Sequence, residues 1–148
     1  MENVKILWAD DEIDLLKVQV LFLEEKGYQV VTTNNGDDAI DMVKKNNFDI
    51  IFLDEHMPGL SGLETLSSIK SMYPGIPVIM ITKSEEEDIM DQAIRSKISD
   101  YLIKPVNPNQ TLLTIKKHVD KKRLITQRTN TAYQTEFAQL GMQISQTY

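Results

Sequence analysis

Ile50-Ile51-Phe52-Leu53-Asp54 is the stretch on which the fold turns: an unbroken apolar run that stops at a lone carboxylate. Side chains of a strand alternate between its two faces, and here both alternations are apolar, so Ile50 to Leu53 suits a strand covered on both sides. Downstream, Val78-Ile79-Met80-Ile81 repeats the pattern. Val4-Lys5-Ile6-Leu7-Trp8-Ala9, Tyr28-Gln29-Val30-Val31 and Tyr101-Leu102-Ile103 complete a set of five strands. Helical spacing lies between them. Leu15, Leu16, Gln19, Val20, Leu23 and Gly27 form a mostly apolar i, i+4 stripe closed by a glycine, and residues 62–72 and 85–96 have room for about three turns each. Strand and helix alternating in this way imply right-handed crossovers and a parallel sheet. The expected fold is α/β: a five-stranded parallel sheet, doubly wound, followed by a C-terminal helical extension.

Composition agrees with one such domain and excludes several functions. The chain has 148 residues, 41% hydrophobic and 26% charged, with a formal net charge of −6. A sequence-blind grip on phosphate backbones needs clustered positive charge, so nucleic-acid binding through this domain is not expected. Cysteine is absent, which removes disulfides, thiolate nucleophiles and Cys-ligated zinc. The longest apolar stretch, from Ile76 to Ile81, is far short of the ~20 residues a membrane helix needs, and Met1-Glu2-Asn3 does not open like a secretory signal. A cytoplasmic protein with no membrane partner is expected. The residues from Val119 onward hold Lys121, Lys122, Arg123 and Arg128 against Asp120 and Glu136, a basic balance unlike the acidic remainder. That contrast divides the chain into a domain over 1–120 and a segment over 121–148.

Ligands of open parallel sheets bind beyond the carboxyl ends of the strands. The residues there are Asp10-Asp11-Glu12 after the first strand, Asp54 after the third, Thr82-Lys83-Ser84 after the fourth and Lys104-Pro105 after the fifth. Carboxylates brought together repel unless a cation joins them, and oxygen ligands suit Mg²⁺ or Mn²⁺ better than zinc. A metal held by Asp10, Asp11 and Asp54, flanked by Lys104 and the Thr82 hydroxyl, is fit to receive a phosphoryl group. Asp54 stands alone at the end of the central strand and is the expected nucleophile. Taken singly, Asp10 and Asp11 suit a cap for the helix opening near Ile13, Asp54 a turn, and Thr82 a cap of its own.

Four separated motifs in order carry a resemblance: Trp8-Ala9-Asp10-Asp11-Glu12, Leu53-Asp54-Glu55-His56-Met57-Pro58-Gly59 with Gly62, Ile81-Thr82, and Tyr101-Leu102-Ile103-Lys104-Pro105. Over about residues 3–120 the chain resembles the receiver domain of two-component response regulators. The resemblance implies a flavodoxin-like strand order 2-1-3-4-5 and a phosphoryl group taken by Asp54 from a sensor histidine kinase. It further implies Mg²⁺ on Asp10, Asp11, Asp54 and the His56 backbone carbonyl, with phosphoryl binding by Lys104. Thr82 and Tyr101 would be the switch residues, and the Lys104-Pro105 peptide would be cis. Homodimers in this family commonly form through the fourth helix, fifth strand and fifth helix. The wording WADDE, DEHMPGLSGLETL, ITKSEEE and DYLIKPVNPNQ is similar to a narrower set, regulators of type IX secretion that carry a PglZ-type, alkaline-phosphatase-like effector, which this chain lacks. Lys83, His56 and Ser84 stand where smaller or different side chains are usual; they border the route of the hydrolytic water and are candidate gates of dephosphorylation. Trp8 is bulkier than the usual aliphatic residue.

Two other functions compete. A Mg²⁺-dependent phosphohydrolase of the haloacid-dehalogenase type also uses an Asp nucleophile, but expects a second Asp where His56 stands. A receiver-shaped interaction module that is never phosphorylated would typically lack an acid or the lysine, and all are present. The leading reading is therefore a phosphoacceptor switch, self-phosphorylating from small donors and self-dephosphorylating, and no enzyme in the ordinary sense. In the tail, Thr131 with Gln134 resembles a capping box, and Tyr133, Phe137, Leu140 and Ile144 form an apolar stripe. The expected role is a helical linker or the start of an effector or helical domain.

Overall fold

A computed structural model describes residues 4–83, 87–95 and 97–120. Five strands form one sheet: β1 (Lys5–Ala9), β2 (Gln29–Thr33), β3 (Ile50–Asp54), β4 (Val78–Thr82) and β5 (Asp100–Ile103). Their order is β2-β1-β3-β4-β5 and every pairing is parallel, the arrangement expected. The helices are α1 (Lys17–Glu25), α2 (Gly36–Lys45), α3 (Gly62–Met72), α4 (Glu87–Arg95) and α5 (Pro108–Ile115), with a 3₁₀ turn at Ile13–Leu16 before α1 and a π turn at Lys116–Asp120 after α5.

Alternation along β3 explains its solid apolar run. Ile50 and Phe52 face one way, into a core shared with Ile6, Trp8, Leu23, Ile79, Ile81 and Ile115. Ile51 and Leu53 face the other, into a core with Leu7, Ala39, Val43, Leu66, Ile69 and Met80. The α1 and α5 residues thus cover one face, the α2 and α3 residues the other. Trp8 stacks on Phe52 across the β1–β3 pair, ring centroids 4.7 Å apart. Gly27 ends α1 with φ +95°, a conformation that favours glycine.

The structure adds two helices that apolar periodicity did not single out, α2 and α5. In α2 the Asn35 side chain accepts the Asp38 N–H, acids fill the first turn and Lys44 and Lys45 the last, so capping and dipole complementarity start and stop it. Strand bounds shift by a residue or two; β2 runs on through Thr32 and Thr33, which pair with Trp8 and Ala9. The alternative reading of Asp10 or Asp11 as a helix cap is not realised: the 3₁₀ turn follows Glu12 with no side-chain cap. Among the described residues no helix is long and apolar enough to cross a membrane. Ser84 and the expected extension over 121–148 lie outside the described residues.

Candidate metal and phosphoryl site

Register carries four strand ends to one rim. Ala9 pairs with Leu53, Asp54 with Ile81, and Thr82 with Ile103, so the residues that follow converge. Asp10 is fully buried and held in place by its N–H to the Thr33 carbonyl, 3.0 Å. Its Oδ1 accepts the Glu12 N–H at 2.8 Å, the local turn bond typical of an Asp after a strand. Asp54, 3% exposed, accepts the His56 N–H at 3.3 Å. Lys104 Nζ lies 3.1 Å from Asp54 Oδ2, 3.2 Å from Asp10 Oδ2 and 3.5 Å from Glu12 Oε1. The Lys104 N–H is fixed to the Thr82 carbonyl at 2.7 Å, and the Lys104–Pro105 peptide is cis.

Burial, together with the charge of Asp10, pushes the Asp54 carboxyl up to about 7, while Lys104 pulls it back. Burial works against the charge on Lys104, but the contacts with Asp54 and Asp10 outweigh it and hold the ammonium above its ordinary range. The site therefore has more negative charge than one lysine balances. Asp10, Asp11, Glu12 and Asp54 each offer a carboxylate oxygen, all within 4.8 Å of one another. Asp10 Oδ2 is buried 3.2 Å from the Lys104 ammonium, an ion pair, but accepts no well-directed hydrogen bond among the described residues. An all-oxygen set with an underused buried ligand atom fits a hard divalent cation such as Mg²⁺.

Other expected residues fall into place around this centre. Thr82 is fully buried at the end of β4, and its hydroxyl donates to Glu55 Oε2. Tyr101 is half-buried on β5 and packs against the core on the α2–α3 side. Lys83 reaches Glu12 Oε1 at 2.8 Å with its side chain 64% exposed. The His56 ring is exposed, its Nε2 3.9 Å from Glu55 Oε1.

Sequence reasoning missed Glu55 and the shared part played by Glu12. Glu55 is 5% exposed, tied through its N–H to the Ile81 carbonyl at 2.8 Å and through its carbonyl to the Gly62 N–H at 2.9 Å. A Cβ at Gly62 would stand 2.4 Å from the Asp54 carbonyl oxygen, which is why glycine is needed there. The available signal was a second acid directly after the buried strand.

A doubly wound sheet whose strand ends bring acids, a hydroxyl and a lysine to one rim defines a phosphoryl-receiving α/β domain. The chain belongs to the response regulator receiver domain family, whose model matches residues 6–116. It is 35% identical over 141 residues to the transcriptional regulatory protein ZraR of Klebsiella oxytoca, covering 95% of this chain and 31% of that protein. With ResD of Bacillus subtilis it shares 34% over 114 residues, 77% of this chain and 47% of the relative. It thus spans less than half the length of these relatives. Among solved structures, a CheY-like receiver domain protein from Methanospirillum hungatei superposes with a TM-score of 0.79 at 25% identity, covering 82% of this chain and 98% of that one. A receiver domain protein from Clostridium thermocellum gives 0.75 at 30% identity, with 82% and 98% covered. Receiver domains are signalling switches, and a phosphoacceptor role fits this chain.

Proposed function

We propose that Asp54 accepts a phosphoryl group from a sensor histidine kinase, and that Asp10, Asp11, Asp54 and the His56 backbone carbonyl hold Mg²⁺ for that reaction. The carrying observation is Asp54 itself, buried at the end of the central strand with Oδ2 on Lys104 and a carboxylate oxygen within ligand reach of Asp10 and Asp11. An Asp54 oxygen attacks phosphorus in line; the new O–P bond forms as the P–N bond to the donor histidine breaks, and the imidazole leaves with a proton from solvent. Lys104 stays beside the transferred group and offsets its charge. When bound, Mg²⁺, or Mn²⁺ in its place, supplies the positive charge that lets an acyl phosphate form among carboxylates. Thr82 and Lys104 bind the product, Tyr101 completes the switch, and the output is an altered surface.

Acetyl phosphate with Mg²⁺ should add one phosphoryl group, read by intact mass, and Asp54→Ala should abolish it. A full-strength adduct on that variant, or one formed equally well in excess chelator, overturns the assignment.

The reading extends to the rest of the chain: residues 1–120 form the receiver, and 121–148 serve as a helical linker or the start of a further domain. The wording WADDE, DEHMPGLSGLETL, ITKSEEE and DYLIKPVNPNQ supports a place among type IX secretion regulators with an alkaline-phosphatase-like effector. A cytoplasmic location accords with phosphotransfer from a kinase. No observation favours the phosphohydrolase, since His56 stands where its second Asp is needed.

A further inference from the structure

We infer that Glu55 is a positioning residue that holds the switch threonine in its unphosphorylated place, so that phosphorylation must break this hold before the domain can switch. The inference rests on the proposed roles of Asp54 as acceptor and Thr82 as switch. Glu55 and Thr82 are both buried, at 5% and 0% exposure, and the Thr82 hydroxyl donates to Glu55 Oε2. Glu55 is anchored through its main chain. Its backbone is pinned on one side to the Ile81 carbonyl and on the other to the Gly62 N–H, and Gly62 packs so closely that a Cβ would lie 2.8 Å from the Glu55 Cα.

Stoichiometry makes the contact a brake. A threonine hydroxyl has one proton to donate, and both a carboxylate and the oxygens of a phosphoryl group are acceptors. When Thr82 gives its proton to Glu55 it cannot give it to a phosphoryl oxygen on Asp54, one residue away in sequence from its present acceptor. Moving to the phosphoryl group takes a donor from a buried carboxylate, which is costly. Glu55 therefore favours the unphosphorylated arrangement and sets how far phosphorylation shifts the equilibrium.

The test uses the full chain with ¹³C-methyl threonine and follows the Thr82 methyl resonance with and without acetyl phosphate and Mg²⁺, while intact mass on the same samples reads phosphoryl uptake. In Glu55→Met, which removes the acceptor and keeps the bulk, the unphosphorylated signal should move toward the phosphorylated wild-type position. The ratio of switched to unswitched form should rise about tenfold, equivalent to about 1.4 kcal/mol. Glu55→Gln, which keeps an oxygen acceptor, should restore the wild-type position. A folded Glu55→Met whose Thr82 signal stays at the unphosphorylated wild-type position overturns the inference. If Glu55→Met does not fold, the wild-type Thr82 hydroxyl proton decides. It should be protected from exchange with water and lose that protection on phosphorylation; exchange at the rate of a solvent-exposed hydroxyl overturns the inference equally. Failure of the wild type to take up a phosphoryl group counts against the Asp54 assignment instead, and the Thr82 displacement in unphosphorylated Glu55→Met then decides separately whether Glu55 holds the threonine.

Discussion

Lys83 lines a pocket that Asp10, Glu12 and Lys104 also line. It bridges to Glu12 at 2.8 Å, and that pairing holds the Glu12 carboxyl below and the Lys83 ammonium above their ordinary ranges. Glu12 also faces Lys104, 3.5 Å from its Nζ, so if the Lys83–Glu12 pair stands in the way of the attacking water, removing Lys83 opens that way. Dephosphorylation should quicken in Lys83→Ala by about tenfold, the change that accompanies a modest loss of barrier. Phosphate release from the purified acyl phosphate checks this; an unchanged or slower rate removes Lys83 as the gate and turns attention to His56. Trp8 offers a reporter at the same scale. It is buried against Phe52, lies two residues before Asp10, and lines a cavity of about 150 Å³ with Asp10, Glu12 and Lys104. Drawing Asp10 onto a cation should disturb this wall, so saturating Mg²⁺ should change the emission of the chain's only tryptophan. Constant emission, with binding shown by calorimetry, would mean that Trp8 is insulated from the site.

Among the elements, one carboxylate ties β5 to the π turn that follows α5. Asp100 Oδ1 accepts the Tyr101 N–H at 2.9 Å, and Oδ2 faces His118 Nε2 at 2.9 Å and Lys117 Nζ at 3.4 Å. Partial burial raises the Asp100 carboxyl, but His118, the Tyr101 N–H and Lys117 together outweigh it and hold the group below its ordinary value. A carboxyl depressed in the folded state stabilises above its unfolded value, near pH 4, and loses that contribution as pH falls through the folded value. Asp100→Asn should cost about 0.5–1 kcal/mol near neutral pH, since the group is only partly sheltered, with the difference fading in acid well below the ordinary carboxylate range. Urea midpoints of both proteins at neutral pH and in acid test it; an equal gap at both would mean that charge is not the cause. Elements such as β3 and β4 were legible because both faces of each are apolar, and the end of α1 because only glycine suits its φ. Helix α2 was harder to read. Asp37, Asp38, Asp41, Lys44 and Lys45 swamp its few core residues, Ala39 and Val43, so its best local signal was the Asn35 cap.

Across the whole molecule, topology determines how much of the site can be read in advance. Asp10, Asp54 and Lys104 were legible because a parallel sheet sends its strand ends to one rim, and each directly follows an apolar run. Glu55 follows one too, yet its burial depends on the Ile81 carbonyl, the Gly62 N–H and the Thr82 hydroxyl, contacts made by the fold and invisible to local pattern. The same topology leaves β5 at an edge of the described sheet, and Ile94 of α4 and Leu113 of α5 are 63% and 67% exposed. Among the described residues no strand lies beyond β5, and exposed apolar side chains on two helices are suited to meet a second copy. Thr82 pairs in register with Ile103 of β5, and Tyr101 sits on that strand, so a change at Asp54 has a short path to this surface. A phosphoryl group that favours the pairing form by a few kcal/mol is enough to turn a mostly monomeric population into a mostly dimeric one at suitable concentration. Light scattering should therefore give about twice the mass once a phosphoryl mimic such as beryllofluoride is bound with Mg²⁺. Leu113→Lys should return the mass to that of one chain while leaving phosphoryl uptake from acetyl phosphate intact, because Leu113 lies on α5 away from the acidic rim. An unchanged mass with and without the mimic over a wide concentration range, or a dimer indifferent to Leu113→Lys, would place the output of the switch on another face.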